Sequence, residues 1–517
     1  VTEIFLTGVA LMRFLNVNIR TAYLSIVLLV TLAALGNLIF SGRGFVFWPD
    51  SIGYLSPLAD LQSGRGFTAW YGRGFLYPAF IAFLIQVNDS YIPVLLAQIL
   101  MQGTVIILAG LLTGVLERHL TCKSTGWALL ARGMLLIALA SFVFNPILLG
   151  LVHTLMPETM FIFFLALQCL LVWISIHTNK NLLKWIGVAL VSFAGLMLIL
   201  IKPHYLLAAF VLPCAIVLVL HRQIAVRYLL IAVLLGGAAA APFHLFDSRL
   251  KAQFDPVTSV VFGPRSLFCN NLDVLDTGFA RGAGDLLEIQ TQVQKILGAG
   301  PNGWRILGFD GDACMYGDLG RKISNHFKGD PKAEAAYYYK TYVSAALRAP
   351  DMVAARFARQ VMAAFALPLP NGFAKLTTDC RVLQAEAGRG LLFEQLRAEC
   401  ALHEGKKVVG LYIKPYVFNF LFGVTVAVGV LFLFARRRFV IRIREGEAGT
   451  FEHVCVISMM SSGSFVLLVG LVHSFDVIRY MAIISPMTFM LFSCMTVWIF
   501  SRRDEGRAAR DKSQSAV

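Results

Sequence analysis

Apolar runs long enough to cross a lipid bilayer recur along this chain, and no other feature constrains its fold as strongly. They fall near residues 22–41, 92–115, 127–149, 157–176, 184–202, 204–220, 227–243, 411–435, 454–473 and 480–500. About 20 helical residues match a hydrocarbon core about 30 Å thick. Inside hydrocarbon the backbone must satisfy its own hydrogen bonds, and continuous apolar runs of this length do so as helices. With 57% hydrophobic and 15% charged residues over 517 positions, the chain could not keep a soluble surface wetted. The expected class is an all-α polytopic membrane protein with about ten spans.

The formal net charge of +15 would suggest nucleic acid in a soluble protein. Here the basic residues sit in short clusters between apolar runs, where they orient helices and meet anionic headgroups. Arg118 and Lys123, then Lys180 and Lys184, then Arg222 and Arg227 fall in alternate connections. So do Arg436, Arg437, Arg438, Arg442 and Arg444, and a tail with Arg502, Arg503, Arg507, Arg510 and Lys512. The positive-inside rule then places both termini in the cytoplasm. The first run follows Arg13 and Arg20 and lacks a small-residue cleavage site before Gly42, so it is expected to stay as a span. At Lys202-Pro203-His204 almost no loop separates two runs, which also fits an interrupted helix.

Four parts result: an N-terminal membrane domain, 1–243, with a first outer loop at 42–91; an extracytoplasmic domain, 244–410, mixed or mainly helical; C-terminal spans, 411–500; and a basic cytoplasmic tail, 501–517. Within the outer domain, Val353, Phe357, Val361 and Phe365 recur at helical spacing. That stretch is an amphipathic helix that either lies on the membrane or packs on the soluble domain. Of nine cysteines, Cys269, Cys314, Cys380 and Cys400 lie in this domain. An even number on an oxidising side predicts two disulfides, most simply Cys269 with Cys314 and Cys380 with Cys400. None has the close pairing of a zinc site.

Ionisable groups at span ends are costly in hydrocarbon, so they line wet cavities or snorkel. Asp50, Glu158, Lys202, His204, Asp476 and Arg479 all fall on the outer side, together with Arg43, Arg65 and Arg73. A carboxylate among cations at the membrane surface suits a reaction on a lipid-linked phosphate: the cations hold the phosphate while the carboxylate takes a proton from the acceptor. Each residue also has an ordinary reading. Arg479 and Tyr480 could anchor at the interface, Glu158 could complement a helix dipole after Pro157, and Lys202 could snorkel. His153, His204 and His473 form either a metal site or hydrogen-bonded surface residues, and Asp310 and Asp312 either an acidic metal pair or a polar turn.

The first outer loop reads Pro49-Asp-Ser-Ile-Gly-Tyr54, then Leu58-Ala-Asp-Leu-Gln-Ser-Gly64, then Arg73-Gly-Phe-Leu-Tyr-Pro78. Met156-Pro-Glu-Thr-Met160, Lys202-Pro203 and Asp476-Val-Ile-Arg-Tyr480 follow in order, with Pro486 beyond. This series resembles the membrane-embedded GT-C glycosyltransferases, and within them the bacterial protein-mannosyltransferase-like and aminoarabinose-transferase-like branch. The resemblance implies a sugar donor on a polyprenyl phosphate, an acceptor that is a glycan, glycolipid or protein, and a bacterial inner membrane with the active site on its periplasmic face. It implies Asp50 as general base, with inversion at the anomeric carbon. Arg73, Lys202 and Arg479 become candidate phosphate ligands, and Tyr54, Tyr77, Glu158, His204 and Tyr480 candidate substrate-binding residues. No second acid follows Asp50 two positions on, so a metal-independent reaction without a cofactor is favoured over one using a divalent cation. Lysine at 202, where arginine is more usual, loses a bidentate fork. Two other classes stay open: a lipid or anion transporter or flippase, and a non-catalytic subunit of an envelope glycan assembly machine.

Overall fold

The computed structural model describes residues 2–42, 46–66, 73–88, 90–120, 125–178, 180–221, 234, 241, 256–282, 287–299, 309, 311–327, 329–366, 380–384, 391–406, 411, 450–472 and 483–514. Among them every regular element is helical, and one isolated parallel bridge joins Val46 to Thr154. The membrane part runs α1 (Thr2–Ile39), α2 (Pro49–Gln62), α3 (Leu76–Asn88), α4 (Ile92–Glu117), α5 (Thr125–Val143), α6 (Pro146–Val152), α7 (Glu158–His177), α8 (Asn181–Ile201) and α9 (Leu206–His221). Among the described residues five stretches are long and apolar enough to cross a membrane: Ile19–Ile39, Ile92–Glu117, Thr125–Val152, Glu158–His177 and Asn181–Ile201. The expected spans 227–243 and 411–435 lie outside the described residues, apart from 234, 241 and 411.

Proline decides where these helices break. The span expected at 127–149 is present as Thr125–Val152, with its helix interrupted at Asn145-Pro146: Pro146 opens α6, and the Asn145 side chain accepts from the Ile147 N–H at 2.9 Å. Lys202 precedes Pro203 and is extended, with φ −139° and ψ 107°, because the proline ring disfavours the helical conformation of the residue before it. A short 3-10 turn, Pro203–Tyr205, then leads into α9.

The middle of the chain, expected as the outer domain, holds α10 (Pro256–Cys269), α11 (Leu272–Ala280), α12 (Leu287–Gly298), α13 (Gly311–Met315), α14 (Asp318–His326), α15 (Pro331–Arg348), α16 (Pro350–Ala366), α17 (Arg381–Gln384) and α18 (Leu391–Ala401). Two further helices, α19 (Thr450–Val472) and α20 (Ser485–Gln514), return to the membrane part, where α19 packs on α9 and α20 on α4, α5 and α7.

The expected single unit 244–410 divides between two cores. Phe268, Leu272, Leu275, Val293, Leu319, Ile323 and Tyr338 form a separate core, and the disulfide Cys269–Cys314 closes it. Leu383, Leu392, Phe393, Leu396 and the disulfide Cys380–Cys400 belong instead to the core of the membrane part. The amphipathic segment, α16, packs on α11 and α15 and against α19. Its Arg356 is buried and bonds to the Asp273 carboxylate and the Asn270 carbonyl, so the helix docks on the separate core around Phe268 and Leu272. Arg281 grips its first turn, and that hydrogen bond holds the Asp351 carboxyl down to about 2.

Candidate functional site

Asp50 stands in the first turn of α2, where Pro49 pre-sets the helical φ and the Ser51 hydroxyl reaches back to accept from the Trp48 N–H at 3.0 Å. The segment leading into α2 is pinned to the loop between α6 and α7. Val46 N–H donates to the His153 carbonyl at 2.8 Å, and Ser41 Oγ is hydrogen-bonded to His153 Nε2 at 2.9 Å. His153, expected as a metal ligand or a surface residue, is fully buried and serves this joint. The joint fixes Asp50 relative to Glu158, which lies four residues beyond Thr154.

Arg73, in the segment between α2 and α3, closes on Asp50. Its Nη2 lies 2.8 Å from Asp50 Oδ1, its Nη1 donates to the Asp50 carbonyl, and its guanidinium carbon stands 4.7 Å from the centre of the Tyr54 ring. Asp50, Gly53 and Tyr54 are spaced to share one helix face. Gly53 makes room for the guanidinium, since a Cβ there would lie 2.5 Å from the Arg73 guanidinium carbon. Tyr54 meets Tyr77 edge-on at 5.5 Å, and the Tyr77 hydroxyl donates to Gln98 Oε1 at 2.8 Å. The Gln98 amide in turn donates to the carbonyls of Val152 and Thr154 at 2.6 and 2.9 Å. The Asp50 side chain is 39% exposed and that of Arg73 20%, so the carboxylate is the open end of the pair.

A second ion pair adjoins the first. Glu158 opens α7 after Pro157, and its Oε1 lies 2.8 Å from Lys202 Nζ, with side-chain exposures of 0% and 6%. Lys202 therefore points into the protein and does not snorkel. The backbone at Gly74 runs against the last carbonyls of α8: a Cβ at 74 would fall well inside contact distance of the Leu200 oxygen, and also meet that of Ile201. This approach sets the Arg73 loop beside Lys202, and Glu158 lies within electrostatic range of Tyr77. Two ion pairs, Asp50 with Arg73 and Glu158 with Lys202, thus lie near one another, with Tyr54 and Tyr77 beside the first. Two carboxylates and two cations sum to zero charge, which is how a low-dielectric site tolerates them.

Arg65 is not part of this group; it pairs with Asp60 at 2.7 Å on the exposed end of α2. Arg43, Asp310, His473, Asp476, Arg479 and Tyr480 lie outside the described residues, as does the His204 side chain. Asp312 sits in the first turn of α13 rather than in a loop. Among the described residues no three His, Cys, Asp or Glu side chains converge as a metal site would require. Sequence reasoning passed over Gly53, Gly74 and Gln98. For two of them a signal was present, in the glycine that follows Arg73 and in a polar amide inside an apolar run; nothing in the sequence marked Gly53.

No protein-family model matches the chain, and no curated protein matches it. Two solved structures are similar: ArnT from Cupriavidus metallidurans in the apo state, at 12% identity and a TM-score of 0.31, and the same protein bound to undecaprenyl phosphate, at 12% and 0.32. Each covers 92% of this chain and 77% of its own. A likeness this distant assigns no family, and the residues of the site carry the functional reading.

Proposed function

We propose that this chain is a membrane glycosyltransferase that moves a sugar from a polyprenyl-phosphate donor to an acceptor on the outer face of a bacterial inner membrane. The observation that carries the reading is a partly open carboxylate, Asp50, held by a guanidinium that itself rests on an aromatic ring, at the end of an apolar helical bundle. In the proposed reaction Asp50 takes the proton of an acceptor hydroxyl as its oxygen attacks the anomeric carbon from the face opposite the phosphate. The glycosidic C–O bond breaks, its electron pair leaves with the phosphate, and the sugar is transferred with inversion.

Arg73 has two tasks in this scheme. Before donor binding it neutralises Asp50; when the donor phosphate arrives, the guanidinium is shared with it, and the less compensated carboxylate becomes a better base. The face of Tyr54 keeps the cation in place during that exchange. Stabilising charge on a departing phosphate in a dry site is worth several kcal/mol, where water would screen most of it. The buried Glu158–Lys202 pair forms a neutral wall behind Arg73, with Tyr77 beside it. His204, Arg479 and Tyr480 complete the donor pocket in the proposal, Arg479 as a second phosphate ligand. The reaction draws its positive charge from these side chains and is proposed to run without a metal or organic cofactor.

The test is transfer from a radiolabelled polyprenyl-phosphate sugar by Asp50→Asn. Asparagine keeps the shape and caps a helix about as well, but cannot accept the proton. Transfer should fall roughly 100-fold or more while donor still binds. A near-normal rate at matched expression would sink the assignment of the base and turn attention to Glu158. Donor movement across the membrane without transfer would instead favour a flippase.

A further inference from the structure

We infer that the described parts of residues 380–406, stapled by the Cys380–Cys400 disulfide, clamp the Asp50-bearing helix in place, with Glu399 as the positioning residue. The inference rests on the reading of Asp50 as the catalytic carboxylate. Both α17 and α18 pack on α2, and Leu383, Leu392, Phe393 and Leu396 are buried in the same core as Ile52, Leu55 and Leu58 of that helix. The disulfide ties α17 to the end of α18, one residue beyond Glu399. Apolar packing of this kind gives adhesion without direction.

Direction comes from Glu399. One carboxylate oxygen accepts from the Ser90 hydroxyl at 2.8 Å and the other from the Tyr91 N–H at 3.3 Å. Tyr91 immediately precedes α4, so a negative charge stands at the positive end of a 26-residue helix. That helix carries Gln98, which holds Tyr77 and the carbonyls of Val152 and Thr154. Beyond the clamp, Leu411 N–H donates to Asn37 Oδ1 at 2.6 Å and the Asn37 amide donates back to the Leu411 carbonyl at 2.9 Å, at the end of α1. One short segment therefore braces α2 by packing and α4 by charge, the two helices whose side chains frame Arg73 and Tyr77.

The experiment combines amide hydrogen exchange with steady-state transfer kinetics on the full chain, comparing Glu399→Ala, Glu399→Gln and the double variant Cys380→Ala/Cys400→Ala. Losing two hydrogen bonds to a charged group should speed exchange across Pro49–Gln62 and the first turn of α4 about tenfold and lower kcat about tenfold, with donor KM within about twofold. Exchange in α7 should stay unchanged. Glu399→Gln keeps one acceptor oxygen for Ser90 and should recover most of both losses, and the double cysteine variant should loosen the same two segments. Unchanged exchange in α2 of Glu399→Ala would overturn the clamp whatever the activity. A fall in kcat that only tracks the folded fraction would overturn the positioning role. If the parent protein transfers no sugar, the glycosyltransferase reading fails, and exchange alone still decides the clamp.

Discussion

Gly74 has no room for a side chain: a Cβ would press into carbonyl oxygens at the end of α8, and those oxygens belong to backbone that cannot rotate away. Gly74→Ala should therefore push the Arg73 loop off Lys202, and thermal unfolding together with transfer should show a lowered midpoint and a loss of activity of at least tenfold. Glu158 and Lys202 allow a sharper test, because a buried ion pair costs little to replace as a pair and much to break singly. Glu158→Gln or Lys202→Met alone should destabilise by about 3–5 kcal/mol, and the double variant should regain most of that stability. A denaturation cycle in detergent that finds the two effects additive would refute the pairing. That Asp50, Glu158 and Lys202 lie near span ends, and Arg73 in the loop after the first span, was legible in sequence. Their pairing was not, since it depends on Gly53 and Gly74, whose contribution is the space they leave.

At the scale of elements, the two disulfides do different work although both close loops in the same sequence region. Cys269–Cys314 spans 45 residues inside the separate core, and in the chain-entropy model it stabilises that core by about 4 kcal/mol. The variant Cys269→Ala/Cys314→Ala should expose outer-domain sites to protease while exchange in α2 stays at the parental level. Loosening of α2 in that variant would mean the two cores are not independent. Helix boundaries at Pro49, Pro146 and Pro203 follow from proline chemistry and were readable in part. The assignment of 380–400 to the membrane core was not, because Leu392, Phe393 and Leu396 would pack as readily on either core. A second ion cluster shows the same limit: Glu117, at the opposite end of α4 from Gln98, is buried between Arg20 at 2.9 Å and Arg132 at 2.7 Å, and joins α1, α4 and α5. In sequence Arg20 and Glu117 stand at the edges of apolar runs and Arg132 just inside one, with nothing to pair them.

For the whole molecule, the active-site proposal requires that Asp50, Glu158 and Lys202 share a face with the outer domain. A reporter fused after Arg444 should be active only in the cytoplasm, and one fused at Gly303 only outside; either reversal would separate the carboxylates from their proposed substrates. Composition and hydropathy by themselves determined that this chain folds as membrane helices, because burying apolar residues in lipid and satisfying the backbone internally are demands each run meets alone. Acids and bases near span ends were likewise visible in one dimension. Which acid meets which base, which part of residues 244–410 backs the Asp50-bearing helix, and where a backbone must pass without a side chain were decided only by tertiary structure. Those are contacts between residues tens to hundreds of positions apart, such as Asp50 with Arg73 and Ser90 with Glu399, and they form only once helices that each satisfy local rules are packed against one another.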